Sequence, residues 1–218
     1  MRNVLIYGDG LSWGLIPGTN KRLPFEKRWG GVLESTINGQ KKAKIRITEN
    51  CLPGRSSAWD DPFQPGRNGL KEIDACIESQ SPLAIVIIML GTWDLLPSRA
   101  VSAQQSALGI AAITKRIQAL HYTADIAMPE ILIVSPPPLA KPSPSLRCFF
   151  EGAVDKSQAL AEAYREICHP LNCHFFAAGS ITSISKVDGV HLDEEQHEVL
   201  GSSLVPIVEW LMLQASHS

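Results

Sequence analysis

The sequence predicts an α/β protein in which a five-stranded parallel sheet is covered by helices on both faces. Its most apolar segments are continuous runs of Ile, Val and Leu, which are typical of strands buried on both faces, as in parallel sheets. Segments with helical spacing of apolar residues separate these runs, so strands and helices alternate. We expect one domain over residues 1–218 and, from right-handed crossovers, the strand order 2-1-3-4-5.

The predicted strands are four short apolar runs and a weaker fifth run, at residues 4–7, 45–48, 83–90, 131–135 and 173–176. Five segments between or after these runs predict helices, at residues 29–37, 70–77, 103–120, 154–167 and 194–213. In the third helix the apolar residues recur near the helical period, at Leu108, Ile110, Ile113, Ile117 and Leu120. The Pro-rich residues 136–147 predict a surface loop that serves as a lid or an interface segment.

The composition argues against several classes of function. The net charge is −2 and the Lys and Arg residues are scattered, so we expect no binding of nucleic acid. Five Cys residues without a CxxC pair indicate reduced thiols, and we expect neither a metal nor a cofactor. The longest apolar run, residues 83–90, is too short to span a membrane. Because Met1 and Arg2 lead directly into a strand, we expect no signal peptide and a cytoplasmic protein.

Unusual residues follow three of the predicted strands. Residues 8–11 read Gly-Asp-Gly-Leu after the first strand, residues 51–54 read Cys-Leu-Pro-Gly after the second, and residues 91–94 read Gly-Thr-Trp-Asp after the third. In doubly wound sheets the ligand site lies beyond the carboxyl ends of the strands. The sequence therefore predicts that these three segments meet at one site.

These segments resemble, in the same order, the sequence blocks of the SGNH or GDSL hydrolase superfamily. Residues 3–14, 52–62 and 85–94 match the first three blocks, and residues 187–191 match the last block, Asp-x-x-His. Residues 134–139 and 150–152 also fit the family pattern. Within this superfamily, the blocks resemble those of bacterial arylesterases and acyltransferases (perhydrolases) of small acyl esters more than those of other members. The resemblance implies a three-layer, flavodoxin-like fold, a small acyl ester as the bound molecule, and a homo-oligomer.

The resemblance also implies roles for individual residues. His191 would be the general base, and Asp188 would orient it and stabilise the imidazolium. The backbone N–H groups of Gly10 and Gly54 would form an oxyanion hole with a side chain at position 93. Three positions depart from the family pattern. Gly10 stands where the family has its Ser nucleophile, Trp93 stands where it has Asn, and Ala178 stands where it usually has Asp.

Five further residues belong to the predicted site because the resemblance places them in the acyl pocket. They are Asp9, Leu11, Trp13, Phe150 and Val190. The alternative for Leu11, Trp13 and Phe150 is that they are ordinary core residues.

Other residues leave alternatives open around position 10. Ser12 is a candidate substitute nucleophile, although two residues along a turn its hydroxyl should point elsewhere. Cys51 is either a reactive thiol or a small buried residue. Trp93 is a candidate to fill the space that the missing Ser leaves, since Gly10 and Trp93 lie at the ends of neighbouring strands.

Three functions are compatible with these observations. The first is an esterase scaffold that is inactive, or nearly so, because its nucleophile is missing. The second is a non-catalytic protein that uses the scaffold to bind a small molecule or to assemble. The third is a residual hydrolase in which His191 activates water directly, since a general base alone contributes about 10²–10⁴-fold.

Overall fold

The computed structural model describes residues 1–40, 44–124 and 126–215, and its sheet has five parallel strands in the order β2-β1-β3-β4-β5. The predicted order and direction are therefore confirmed. Every strand run is found close to its predicted position. The strands are β1 (Arg2–Gly8), β2 (Ile45–Cys51), β3 (Ile85–Met89), β4 (Glu130–Ser135) and β5 (His174–Ala177).

Eight α-helices are found within the described residues. They are α1 (Gly10–Trp13), α2 (Trp29–Gly39), α3 (Gly69–Gln80), α4 (Ala103–Ala124), α5 (Arg147–Phe150), α6 (Ala153–Gln158), α7 (Leu160–Cys168) and α8 (Glu194–Gln214). The single helix predicted over 154–167 is wrong, because α6 and α7 are separate helices that meet at Ala159. Short 3₁₀ turns at Thr92–Leu95 and Pro97–Arg99 follow β3.

Alternate residues of the central strands face two separate cores. Leu5 and Tyr7 of β1 face the core formed with α3, α4 and α7, whereas Val4 and Ile6 face the core formed with α2 and α8. The central strands are buried on both faces, as their continuous apolar runs predicted. One predicted core position differs: Leu108 of α4 is 65% exposed and lies on the outer face of its helix.

The register of the strands places the predicted site segments side by side. Gly8 at the end of β1 pairs with Cys51 of β2 and with Met89 of β3. The chain segments that leave these three strands therefore begin at the same edge of the sheet. Within the described residues, no helix is long and apolar enough to cross a membrane.

Gly31 of α2 lies where the helix approaches the preceding 3₁₀ turn, Phe25–Lys27. A Cβ added at Gly31 would lie 1.9 Å from the carbonyl oxygen of Phe25, which is backbone and cannot rotate away. At Gly39, the last residue of the same helix, an added Cβ meets no atom within 4 Å. The two glycines therefore offer a matched pair of positions for the same substitution.

We expect Gly31→Ala to lower the free energy of unfolding by about 1–3 kcal/mol or more, because the backbone of the preceding turn must shift. Gly39→Ala should leave it unchanged or raise it by about 0.4–1 kcal/mol, because alanine restricts the unfolded chain. Urea denaturation of both variants measures the difference. Equal stability of the two variants would contradict the close approach at Gly31.

Candidate active site

The first side of the site is the tight turn that follows β1. Asp9 precedes α1, and its carboxylate Oδ1 accepts the backbone N–H of Leu11 at 2.9 Å. The Asp9 carbonyl also accepts the N–H of Trp13 at 2.8 Å, and the left-handed Gly14 ends the short helix. These bonds fix the backbone at Gly10, which is the first residue of α1.

Asp188 and His191 form the other side of the site. His191 Nδ1 and Asp188 Oδ2 lie 2.8 Å apart, as the sequence predicted, and the pair is buried. Asp188 Oδ1 also accepts the backbone N–H groups of Val190 and His191, each at 2.9 Å. Burial raises the pKa of Asp188, but the hydrogen bonds from His191 outweigh burial and lower that pKa to about 2. A carboxylate therefore holds one ring nitrogen and leaves Nε2 for the site.

The turn that carries Asp188 and His191 is attached to the Pro-rich loop 136–147. The Ser143 N–H donates to the Asp188 carbonyl at 2.9 Å, and the Ala140 N–H donates to the Gly189 carbonyl at 3.1 Å. Gly189 has a φ of +75°, and a Cβ there would lie 2.3 Å from the Lys141 carbonyl oxygen. Only glycine fits this close contact. The loop 136–147 therefore packs tightly on the turn and holds Asp188 and His191 in place.

Gly10 and His191 meet directly. A Cβ built on Gly10 would lie 2.9 Å from His191 Nε2 and 3.3 Å from its Cδ2, and the next nearest atom is Pro53 Cα at 3.8 Å. Nε2 is buried and makes no hydrogen bond within the described part of the chain. The imidazole thus takes the space beside residue 10. The expectation that Trp93 fills this space is wrong, since none of the nearest atoms belongs to it.

Neither alternative nucleophile is positioned to react with a molecule held by His191. The Ser12 side chain lies over the preceding strand end, since a Cβ on Gly8 would be 2.5 Å from Ser12 Oγ. Its hydroxyl is buried and is not hydrogen-bonded to His191. The Cys51 thiol donates to the Ile6 carbonyl at 3.6 Å, and burial raises its pKa above the ordinary value. Cys51 therefore has the environment of a core thiol.

A cleft of about 460 Å³ opens over these residues. Four predicted site residues line it, namely Gly54, Trp93, Asp188 and His191. The rest of the lining comes from loop residues that were not predicted individually as site residues. These residues are Leu15, Gly18, Thr19, Asn20, Pro53, Gln64, Ser145 and Leu146.

The five residues predicted for the acyl pocket are absent from the lining of this cleft. Leu11, Phe150 and Val190 are buried in the two cores, and Asp9 is buried beneath the turn. Trp13 packs on the α2–α8 core, with the Arg22 guanidinium 4.9 Å above its ring. Their places in matching sequence blocks suggested a pocket, but four of the side chains are buried and Trp13 packs against a core.

The loops that do line the cleft left only weak signals in the sequence. Residues 15–20 follow the first block directly, and Ser145 and Leu146 belong to the loop 136–147 that was predicted as a lid. Gln64 lies just beyond the second block. Loop residues have no periodicity, so their direction is set by long-range contacts.

Trp93 lies at the edge of the cleft but its N–H does not face it. The ring packs edge-on against Phe150 at 5.3 Å between centroids and lies 6.3 Å from Phe149. Its Nε1 is buried and has no hydrogen-bond partner within the described residues. An indole placed this way supplies apolar surface to the cleft and no donor.

Asp94, the residue after Trp93, ties the second and third strand ends together. Its carboxylate accepts the Ser57 N–H at 2.7 Å and the hydroxyls of Ser57 and Ser106 at 2.6 Å each. Burial raises the pKa of Asp94, and these hydrogen bonds partly oppose that shift.

Within the described residues, no group of three His, Cys, Asp or Glu side chains is arranged to hold a metal ion.

Comparison with known proteins decides the family. No family model and no curated protein matches the chain. An inhibitor-bound aryl esterase from M. smegmatis is 32% identical with a TM-score of 0.90, and the match covers 97% of this chain and 100% of that one. The chain belongs to the SGNH/GDSL hydrolase family.

Two other solved structures of this family agree with the assignment. A carbohydrate acetylesterase from Sinorhizobium meliloti is 32% identical with a TM-score of 0.90, over 97% of this chain and 100% of that one. A putative arylesterase from Agrobacterium tumefaciens is 36% identical with a TM-score of 0.86 over the same shares of the two chains. The SGNH fold and its esterase character are therefore shared along almost the whole chain.

Burial raises the pKa of Asp9 to about 7, although the Leu11 N–H opposes the shift. The folded chain thus keeps a proton that the unfolded chain releases near its ordinary pKa of 3.8. The resulting stability is fully present below that value and is lost as the pH rises through 7. Asp9→Asn keeps the shape and the acceptor but cannot titrate.

We expect the unaltered protein to lose about 4 kcal/mol more stability than Asp9→Asn between pH 4 and pH 8, from about 1.4 kcal/mol per unit of pKa shift. Urea denaturation of both proteins across this range measures the difference. Parallel stability curves would show that Asp9 titrates at its ordinary pKa.

Proposed function

We propose that this chain is an arylesterase-type scaffold that binds a small acyl ester but has lost the covalent route of ester hydrolysis. One observation carries the proposal: a base oriented by Asp188 faces Gly10, which has no side chain. A serine esterase needs a hydroxyl within hydrogen-bond reach of that nitrogen. In subtilisin, losing the Ser lowers kcat by about 10⁶-fold, so we expect little turnover here.

The lining of the cleft supports a small neutral ester as the bound molecule. The volume of the cleft, about 460 Å³, is in the range of small-molecule sites. Among the described residues that line it, Asp188 and His191 are the charged or titratable ones, and the others are apolar or uncharged. Because the relatives are named as aryl esterases and as a carbohydrate acetylesterase, short-chain aryl or sugar acetates are the first compounds to test.

Direct activation of water by His191 is the less favoured function. Nε2 lies against Gly10 and is buried, so a water molecule has no access to it unless the imidazole moves. That ring is held by Asp188 at 2.8 Å, which opposes such a movement. The geometry therefore favours a binding scaffold over a one-base hydrolase.

We expect Gly10→Ser together with Trp93→Asn to restore hydrolysis of phenyl acetate. The Ser supplies the nucleophile, and the Asn supplies the oxyanion donor that the buried indole N–H does not. Gly10→Ser alone should be about 10²–10³-fold slower than the double variant, which is the usual cost of one missing donor. Trp93→Asn alone should remain inactive, because no tetrahedral intermediate forms. Steady-state kinetics measure the series.

Gly10→Ala is the matched control, since it places the same Cβ against His191 without a hydroxyl. A new Cβ at 2.9 Å from Nε2 requires the imidazole to withdraw slightly in both variants. Gly10→Ala should be inactive, and adding His191→Ala to the double variant should abolish its activity. Strong turnover by Trp93→Asn alone, or a folded but inert double variant, would refute the proposed roles.

A further inference from the structure

Position 93, where the family has an Asn donor, supplies no side-chain donor to this cleft. A bound ester exposes a carbonyl oxygen, and its tetrahedral form carries negative charge that donors must stabilise. Trp93 does not supply such a donor to the cleft, because its Nε1 is buried within the protein. Among the uncharged side chains of the lining, the two carboxamides are those of Asn20 and Gln64.

Gln64 reaches the backbone of Gly54. A Cβ built on Gly54 would lie 2.7 Å from Gln64 Oε1 and 3.6 Å from its Cδ. Gln64 is half-buried, and its carboxamide makes no hydrogen bond within the described part of the chain. A carboxamide carries two N–H donors and an acceptor oxygen, and rotation about its last bond presents either end. An unengaged amide thus lies beside one of the backbone positions assigned to the oxyanion hole.

The turn that carries Gln64 is anchored to the rest of the site. Asp61 accepts the backbone N–H of Phe63 on its side chain at 2.9 Å and that of Gln64 on its carbonyl at 3.2 Å. The guanidinium of Arg99 donates to the Asp61 carboxylate at 3.4 Å and to the Trp93 carbonyl oxygen. Arg99 therefore fixes the turn of Gln64 to the end of β3.

We propose that the Gln64 carboxamide is the hydrogen-bond donor to the carbonyl oxygen of the ester bound in this cleft. It supplies only part of the stabilisation that an Asn at position 93 would give, so Gly10→Ser alone remains slower than the double variant. This inference rests on the proposed function, since it assumes that the cleft binds an ester. It makes Gln64 a residue that contacts the ligand, and Arg99 a residue that positions it.

Binding to the unaltered protein tests this inference without any catalysis. The probe is phenyl methylphosphonate, a stable anion that resembles the tetrahedral form of phenyl acetate, measured by isothermal titration. Gln64→Met removes the amide at nearly constant volume and should raise Kd at least about tenfold, as for loss of a hydrogen bond to a charged group. Gln104→Met removes an exposed carboxamide of α4 that does not line the cleft, and it should leave Kd within about a factor of two.

A kinetic measurement separates hydrogen-bond donation by Gln64 from a purely structural role of this residue. In the Gly10→Ser background, Gln64→Met should lower kcat for phenyl acetate by about 10²-fold. In the Gly10→Ser/Trp93→Asn background the loss should be much smaller, because Asn at position 93 supplies a donor. A structural role for Gln64 predicts the same loss in both backgrounds.

Equal effects of Gln64→Met and Gln104→Met on Kd, or no binding of the phosphonate to the unaltered protein, would overturn the role of Gln64. If the Ser variants were inert while folded, the proposed function alone would fail. The titration with unaltered protein would still decide whether Gln64 contacts the ligand.

Discussion

The contact between His191 and Gly10 depends on one buried hydrogen bond, from the imidazole Nδ1 to Asp188. That bond fixes the plane of the ring, and the backbone N–H groups that Asp188 also accepts fix the carboxylate. With the ring held this way, Nε2 reaches the turn after β1 and fills the space beside Gly10. The same arrangement would orient a base toward a Ser, and here it closes over the missing side chain.

The sheet and its order could be predicted because central strands buried on both faces have continuous apolar runs, such as residues 4–7 and 83–90. The pairing of Asp188 and His191 could be predicted from the last sequence block. The break at Ala159 is not marked by Gly or Pro, so the predicted helix over 154–167 ran through it.

The cleft was harder to predict than the fold, because its walls are loops. Gln64 and Asn20 lie in loops without a periodic pattern, and the position of Gln64 depends on contacts such as the one between Arg99 and Asp61. Conversely, Phe150 belongs to a matching block and yet lies in the core, where its ring supports Trp93. Position in a motif indicates that a residue is near a site, and only packing decides which way it faces.

Covalent labelling tests most directly whether residue 10 is the position from which the nucleophile is missing. Treatment with diisopropyl fluorophosphate, followed by peptide mass spectrometry, reports which hydroxyl His191 activates. The account predicts a phosphoryl adduct on residue 10 of Gly10→Ser and no adduct on Ser12 of the unaltered protein. An adduct on Ser12 of the unaltered protein would contradict the account, because it would show that the chain already has a working nucleophile.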